Sequence, residues 1–338
     1  MRKINYDPDN LKDFDTEWGI HKKNKEWWYA TAVVFDEEGN MYSYQYTLLY
    51  INFGLVTSKM AMIALTDIKN QVHHYLQTPV KGENRLILSR NEASVKGVAE
   101  VKKNKTGMTM KLKHKNFTVE TEMDYGKGAF WHCDNGKLQM GIPGEEETTE
   151  YFSYTNMPTR GVLTIDGKKV KVTGKTWFDK QGGTYSISNS KTNWEWFSLR
   201  FNDDEEAMLF TFPQNDPPYY DGTFIPKDGH SVRMNDYTIE RTKIIEYNGT
   251  RWSAGWNFHM NYKDKDYVIE PVMPGHINFR YFEEVCYIKN TSGEVVGYAF
   301  AELLPGVLGK VKTAETEATP QPKKKSKVIK SLFERVEV

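Results

Sequence analysis

Three short segments set tryptophans beside acids, and there the chain has the means for chemistry. They are Lys25-Glu26-Trp27-Trp28-Tyr29, Gly174-Lys175-Thr176-Trp177-Phe178-Asp179 and Asn193-Trp194-Glu195-Trp196-Phe197-Ser198. Successive side chains of a strand point to opposite faces, so Trp177 and Asp179 share one face, as do Trp194 and Trp196. A carboxyl beside a tryptophan on an inward-facing strand is costly when ionised unless it is paired or hydrogen-bonded; otherwise it stays protonated. A carboxyl that is neutral near pH 7 is a general acid, and indole faces steady positive charge developing on an apolar substrate. The plainer alternatives are that these tryptophans pack a core, and that Asp179 caps a turn or pairs with Lys180.

The elements that must position these residues read as strands. Asp166-Gly167 sits between Gly161–Ile165 and Lys169–Thr173, a two-residue hairpin signal between alternating segments. Asp36–Asn40, Asn248-Gly249 and Thr291-Ser292-Gly293 punctuate the chain in the same way. Aromatic residues make up 14% of the 338, which favours strands and ligand-lining walls over helix bundles. Many short antiparallel strands mean barrels or sandwiches. Hairpin-rich blocks fill residues 25–180 and 192–305, with a polar connector around Gly182-Gly183 and Ser186–Thr192. The expected organisation is a first domain over 1–188, a second over 189–310, and a tail over 311–338.

Other classes of function find little support. Lys+Arg and Asp+Glu are equal at 45, so no overall field draws the chain to nucleic acid. There is no Gly-x-Ser-x-Gly elbow, phosphate-cradling loop, dinucleotide fingerprint or His-Glu-x-x-His, and no cofactor is expected. His73-His74 and His132-Cys133-Asp134 come closest to metal-ligand clusters, but neighbours on a strand face apart, so no metal is expected. Cys133 and Cys286 are far apart and read as two reduced thiols. The first residues show no secretory pattern, which makes a cytoplasmic location the expectation. In the tail, Val311–Lys327 reads as a flexible linker. Lys323-Lys324-Lys325 then precedes one apolar helical face formed by Val328, Ile329, Leu332, Phe333 and Val336. Residues 323–338 could therefore dock on a partner or on an anionic membrane surface.

A series of motifs resembles, in order, the lipocalin-like hydroxyneurosporene synthase (carotenoid 1,2-hydratase) family and the AttH-like proteins. Glu26-Trp27-Trp28-Tyr29 is similar to the family's EWWY strand, and Ala61–Asp67 to its A-x-x-D segment. Tyr151–Thr155 is similar to YYS-x-T, Gly174–Asp179 to G-x-x-W-x-D, and Trp194–Ser198 to W-D-W-F-S. Tyr281-Phe282-Glu283 and Gly297–Leu303 are similar to its C-terminal segments, so the resemblance covers residues 15–306. It implies an all-β chain of two lipocalin-like antiparallel barrels in tandem, enclosing an apolar isoprenoid- or polyene-like ligand.

The resemblance also implies roles. The family's proposed proton donor maps onto Asp179, buried among Trp177, Trp28 and Phe152, with Glu26 or Tyr154 positioning water. Ligand-lining residues would be Trp27, Trp28, Tyr151, Phe152, Ser153, Trp177, Trp194, Trp196, Tyr281 and Glu283. The chain departs from the pattern after Asp179, where Lys180-Gln181-Gly182-Gly183 stands. It departs again at Glu150-Tyr151-Phe152, which lacks the hydratases' histidine. The implied chemistry is acid-catalysed hydration, dehydration or isomerisation of an alkene. The lipocalin-like Diels–Alderases look like distant relatives, so a cyclase that shapes a polyene is one alternative. A non-catalytic carrier or sensor is another.

Overall fold

The computed structural model describes residues 13–21, 25–141, 147–186, 190–247, 249–273 and 282–304. Tyr281 and the tail from 305 lie outside the described residues. The expected hairpins form. Asp166 and Gly167 have φ of 48° and 83°, the left-handed pair that a two-residue turn between right-twisted strands requires, and they join Thr148–Ile165 to Lys168–Thr184.

Two large antiparallel sheets result. In the first, neighbours run Val72–Pro79, Thr57–Asp67, Met41–Asn52, Lys25–Phe35, Lys168–Thr184, Thr148–Ile165 and Phe117–Asp124. Gly107–Lys113, Ala99–Lys103, Ala93–Val95 and Leu86–Leu88 continue it to the far edge. In the second they run Val232–Arg233, Tyr219–Ile225, Glu206–Phe212, Glu195–Phe201 and Val295–Leu303. Phe282–Lys289, Lys265–Pro271, Trp256–Met260 and Tyr237–Arg241 complete it. The last strand of the first sheet ends at Thr184 and the first strand of the second begins at Glu195. Each sheet curls into a half-barrel, the tandem lipocalin-like architecture.

Each half-barrel wraps its own core, one around Trp28, Phe152 and Phe178, the other around Phe197, Trp256 and Phe282. A third core lies between them and draws Tyr29, Tyr151 and Trp177 from the first sheet, with Trp194, Trp196, Phe210, Val285 and Phe300 from the second. The strands flanking it are therefore buried on both faces, as all seven residues of Glu195–Phe201 and of Glu206–Phe212 are. Cys133 and Cys286 are free buried thiols in different cores.

Close strand packing depends on glycine at Gly174, where an added Cβ would sit 2.2 Å from the Val33 carbonyl oxygen. Gly174→Ala should therefore cost about 1–3 kcal/mol, read as a lower denaturation midpoint with an unchanged m-value.

Candidate active site

Strand register turns the motif series into a wall. Lys25–Phe35, Lys168–Thr184 and Thr148–Ile165 lie side by side, so residues in register form rows across three strands. One row is Trp27, Gln181, Tyr151; the next is Tyr29, Asp179, Ser153; Thr31 and Trp177 begin a third. These rows face the interdomain core. The alternate rows, Trp28–Lys180–Phe152 and Ala30–Phe178–Tyr154, face the inside of the first half-barrel.

The second sheet supplies the opposite wall by the same rule. Phe210, Trp196, Glu302 and Glu283 form one row, and Met208, Ser198, Phe300 and Val285 the next. The Trp196 ring meets Tyr29 and Trp177 edge-on, with centroids 5.4 and 6.2 Å apart, and its Nε1 donates to Tyr151 Oη at 3.1 Å. Trp27 stacks on Trp194 at 6.3 Å.

Asp179 stands at the centre of this layer, 2% exposed. Its Oδ1 accepts from Trp177 Nε1 at 2.5 Å and, in a short bond, from Ser153 Oγ. Burial pushes its carboxyl up to about 7, although Ser153, Trp177 and Tyr151 hydrogen bonds pull the other way. Behind Ser153 lies His132, fully buried, whose Nε2 is 2.6 Å from Ser153 Oγ. Burial drives the imidazole down to about 3, so it is neutral, and among the described residues its Nδ1 has no partner. The Asp179–Ser153–His132 chain links the buried carboxyl by hydrogen bonds to a neutral imidazole, which orients Ser153 toward Asp179 without placing a second charge beside it. The His132 ring resonances should not titrate between pH 5 and 8, which an NMR pH series checks directly.

His132 is held by a tight turn. Its amide donates to the Tyr151 carbonyl at 3.1 Å, and the Gly136 amide donates to the His132 carbonyl at 2.7 Å. Cys133 takes a left-handed φ of 54° within that turn. The chain thus brings an imidazole to Ser153 from a different segment, although Glu150-Tyr151-Phe152 carries none.

Four of the expected site residues do not join Asp179. Glu26, Trp28, Phe152 and Tyr154 lie on the opposite face, because each is an odd number of positions from its neighbour on the Asp179 wall. Trp28 and Phe152 therefore do not enclose Asp179 as expected. Glu26, fully buried, pairs with Lys180 Nζ at 2.8 Å and accepts from the His21 amide at 3.0 Å. Burial pushes Glu26 up, but Lys180 and His21 outweigh it and hold the carboxyl below its ordinary range. Lys180 Nζ also lies 4.2 Å from the Trp28 ring centre. Gly182 opposite Glu26 leaves room for this pair, since a Cβ there would come within 2.7 Å of Glu26 Cγ. The run after Asp179 that departs from the family pattern thus has a local purpose.

Trp27, Tyr151, Ser153, Trp177, Trp194, Trp196 and Glu283 do gather at the interdomain layer. Tyr29, Glu302 and His132 were not foreseen as site residues. Tyr29 and Glu302 lie within quoted motifs and share faces with Trp27 and Phe300, a signal strand alternation already carried. His132 follows a three-residue strand, Ala129–Trp131, and no periodicity points to it. Among the described residues no group of three or more His, Cys, Asp and Glu could hold a metal ion. No helix among them is long and apolar enough to cross a membrane.

Two lipocalin-like half-barrels closing on a buried acid define the class of this protein. The sequence matches the AttH-like family over residues 6–306, and the chain belongs to that family. Its fold is similar to an AttH-type protein from Nitrosomonas europaea, with a TM-score of 0.80 and 16% identity over 90% of this chain and 98% of that one. It is also similar to kievitone hydratase from Nectria haematococca, with a TM-score of 0.70 and 16% identity over 88% and 93% of the two chains. Among curated protein sequences none matches.

Proposed function

We propose that this protein adds water to, removes it from, or isomerises an alkene in an apolar, isoprenoid- or polyene-like small molecule, with Asp179 as the proton donor. The observation that carries the reading is a buried carboxyl, pushed up to about 7, set among indole rings and linked through Ser153 to a neutral imidazole. Alkene protonation needs an acid that is still protonated at working pH, and a carboxyl with a value near 7 meets that need.

In the hydration direction, the Asp179 proton bonds to one alkene carbon as the π pair moves to it, leaving a cation on the more substituted carbon. The faces of Trp177 and Trp196 stabilise that cation by about 2 kcal/mol in a desolvated site. Water then adds through oxygen and loses a proton. Trp27, Tyr151 and Trp194 would line the apolar remainder of the substrate. The fold shared with kievitone hydratase agrees with this reading and sets a first test substrate.

The test is to incubate the full chain in deuterated water with kievitone and simple prenyl-bearing phenols, and to follow mass and NMR. The expected product has gained one water and carries one deuterium fixed on carbon. Bound apolar compound recovered unchanged across the series would overturn the reading in favour of a carrier.

A further inference from the structure

Across the aromatic layer from Asp179 stand two more buried carboxyls, Glu283 and Glu302, 3% exposed and half-buried by residue but with the Glu302 carboxyl enclosed. They occupy directly opposed positions on the antiparallel strands Phe282–Lys289 and Val295–Leu303. Side chains at such positions are neighbours on one face, where two like charges repel, and an interior of Val285, Phe300 and Trp196 screens little of that repulsion. Two carboxyls so placed ionise together only at a cost, which favours one proton held between them.

The donors around the pair come from the other wall and from its own. Tyr29 Oη donates to Glu283 Oε2 at 2.6 Å, which favours the ionised form at Glu283. Trp194 Nε1 donates to Glu302 Oε1 at 2.8 Å. Tyr29 is also the register partner of Asp179, so one strand position ties the two acid sites together. Among the described residues, Asp179 and Tyr185 both feel the Glu302 charge, and Arg200 feels Tyr29.

We propose that Glu283 and Glu302 form a proton-sharing pair that is the second acid–base station of the interdomain site, complementary to Asp179. This rests on the proposed reading of Asp179 as the acid. In hydration, Asp179 gives its proton to carbon, water bonds through oxygen to the cation, and the proton lost from that oxygen goes to the Glu283 carboxylate. Exchange with solvent on product release returns a proton to Asp179 and removes one from the pair. Dehydration runs the same transfers backwards. Burial raises Glu302 to about 7, while its hydrogen bonds with Trp194 and Glu283 pull the other way.

The deciding experiment is an infrared titration of the full-length protein, following the carbonyl stretch of protonated carboxyls. Asp179→Asn, Glu302→Gln and Glu283→Gln are compared with the wild type. Protonated-carboxyl bands near neutral pH are expected from Asp179 and from the pair. Asp179→Asn should remove one; Glu302→Gln should remove the other and leave the Asp179 band. Glu283→Gln should move the Glu302 titration to lower pH, because the neighbouring charge is gone. A spectrum unchanged by Glu302→Gln overturns the pair.

Turnover of a prenyl-bearing phenol supplies the catalytic arm. Glu302→Gln is expected to slow it at least tenfold and to remove one limb of the pH–rate profile, with Glu302→Asp restoring the limb. Wild-type turnover and profile in Glu302→Gln, with Asp179→Asn inactive, overturns this inference and leaves the acid reading standing. Activity retained in Asp179→Asn overturns the acid reading itself, and the infrared bands then decide the pair alone.

Discussion

Asp179→Asn should abolish most turnover while making the protein more stable at pH 8. The loss expected is about 10²–10⁴-fold in kcat, the usual contribution of a positioned general acid. Asparagine keeps the carbonyl oxygen that accepts from Ser153 and Trp177, so the wall geometry should survive while the acidic proton is lost. The stability gain follows from the carboxyl's shift, from 3.8 to about 7 in the folded chain. Between those values the native state holds a proton that the unfolded state releases, so stability falls as pH rises from about 4 to 7 and is level above. That separation corresponds to about 4 kcal/mol for a buried group. The asparagine variant lacks this slope, and denaturant curves at pH 5 and pH 8 should differ less for it than for the wild type. A variant that is both inactive and no less stable separates a chemical role from a structural one. Retained turnover would remove Asp179 from the mechanism.

Much of this arrangement was legible in the sequence. Turn residues such as Asp166-Gly167 announced the hairpins, because only residues tolerating positive φ make two-residue turns between twisted strands. Period-two alternation placed Trp177 with Asp179 and Trp194 with Trp196, and Trp177, Trp194 and Trp196 lie together in the interdomain layer. Alternation alone does not say which face is which when both are buried. Every residue of Glu195–Phe201 is buried, so no polar face marks the outside, and the same ambiguity set Glu26, Trp28, Phe152 and Tyr154 beside Asp179 in the sequence reading. The parity of their positions already separated them. His132 was beyond reach for a different reason. Its contact with Ser153 spans 21 positions and depends on a turn fixed by backbone bonds to Tyr151, which no side-chain pattern encodes. The Glu283–Glu302 pairing likewise needed register, since the two acids belong to separate strands.

The opposite face of the same strands yields the second large effect. Glu26→Gln should destabilise the chain by about 3–5 kcal/mol, because it leaves the Lys180 ammonium buried in an apolar core without its carboxylate. Lys180→Met should cost a similar amount for the converse reason, stranding Glu26 beside the His21 amide. The double variant should recover much of the loss, since two neutral side chains carry no uncompensated charge, and the recovery measures the coupling. The pH dependence has a definite sign. Glu26 is held below its ordinary 4.5 in the folded chain, so its contribution is present above that value and is lost as pH falls beneath it. Wild type should therefore lose stability through the acid range more steeply than Glu26→Gln does. Because the Glu26 side chain points into the first half-barrel and Asp179 away from it, kcat of the folded fraction should stay within a few-fold of wild type. A large fall in kcat with little change in stability would instead bring Glu26 back to the chemistry and require the two faces of this strand to communicate.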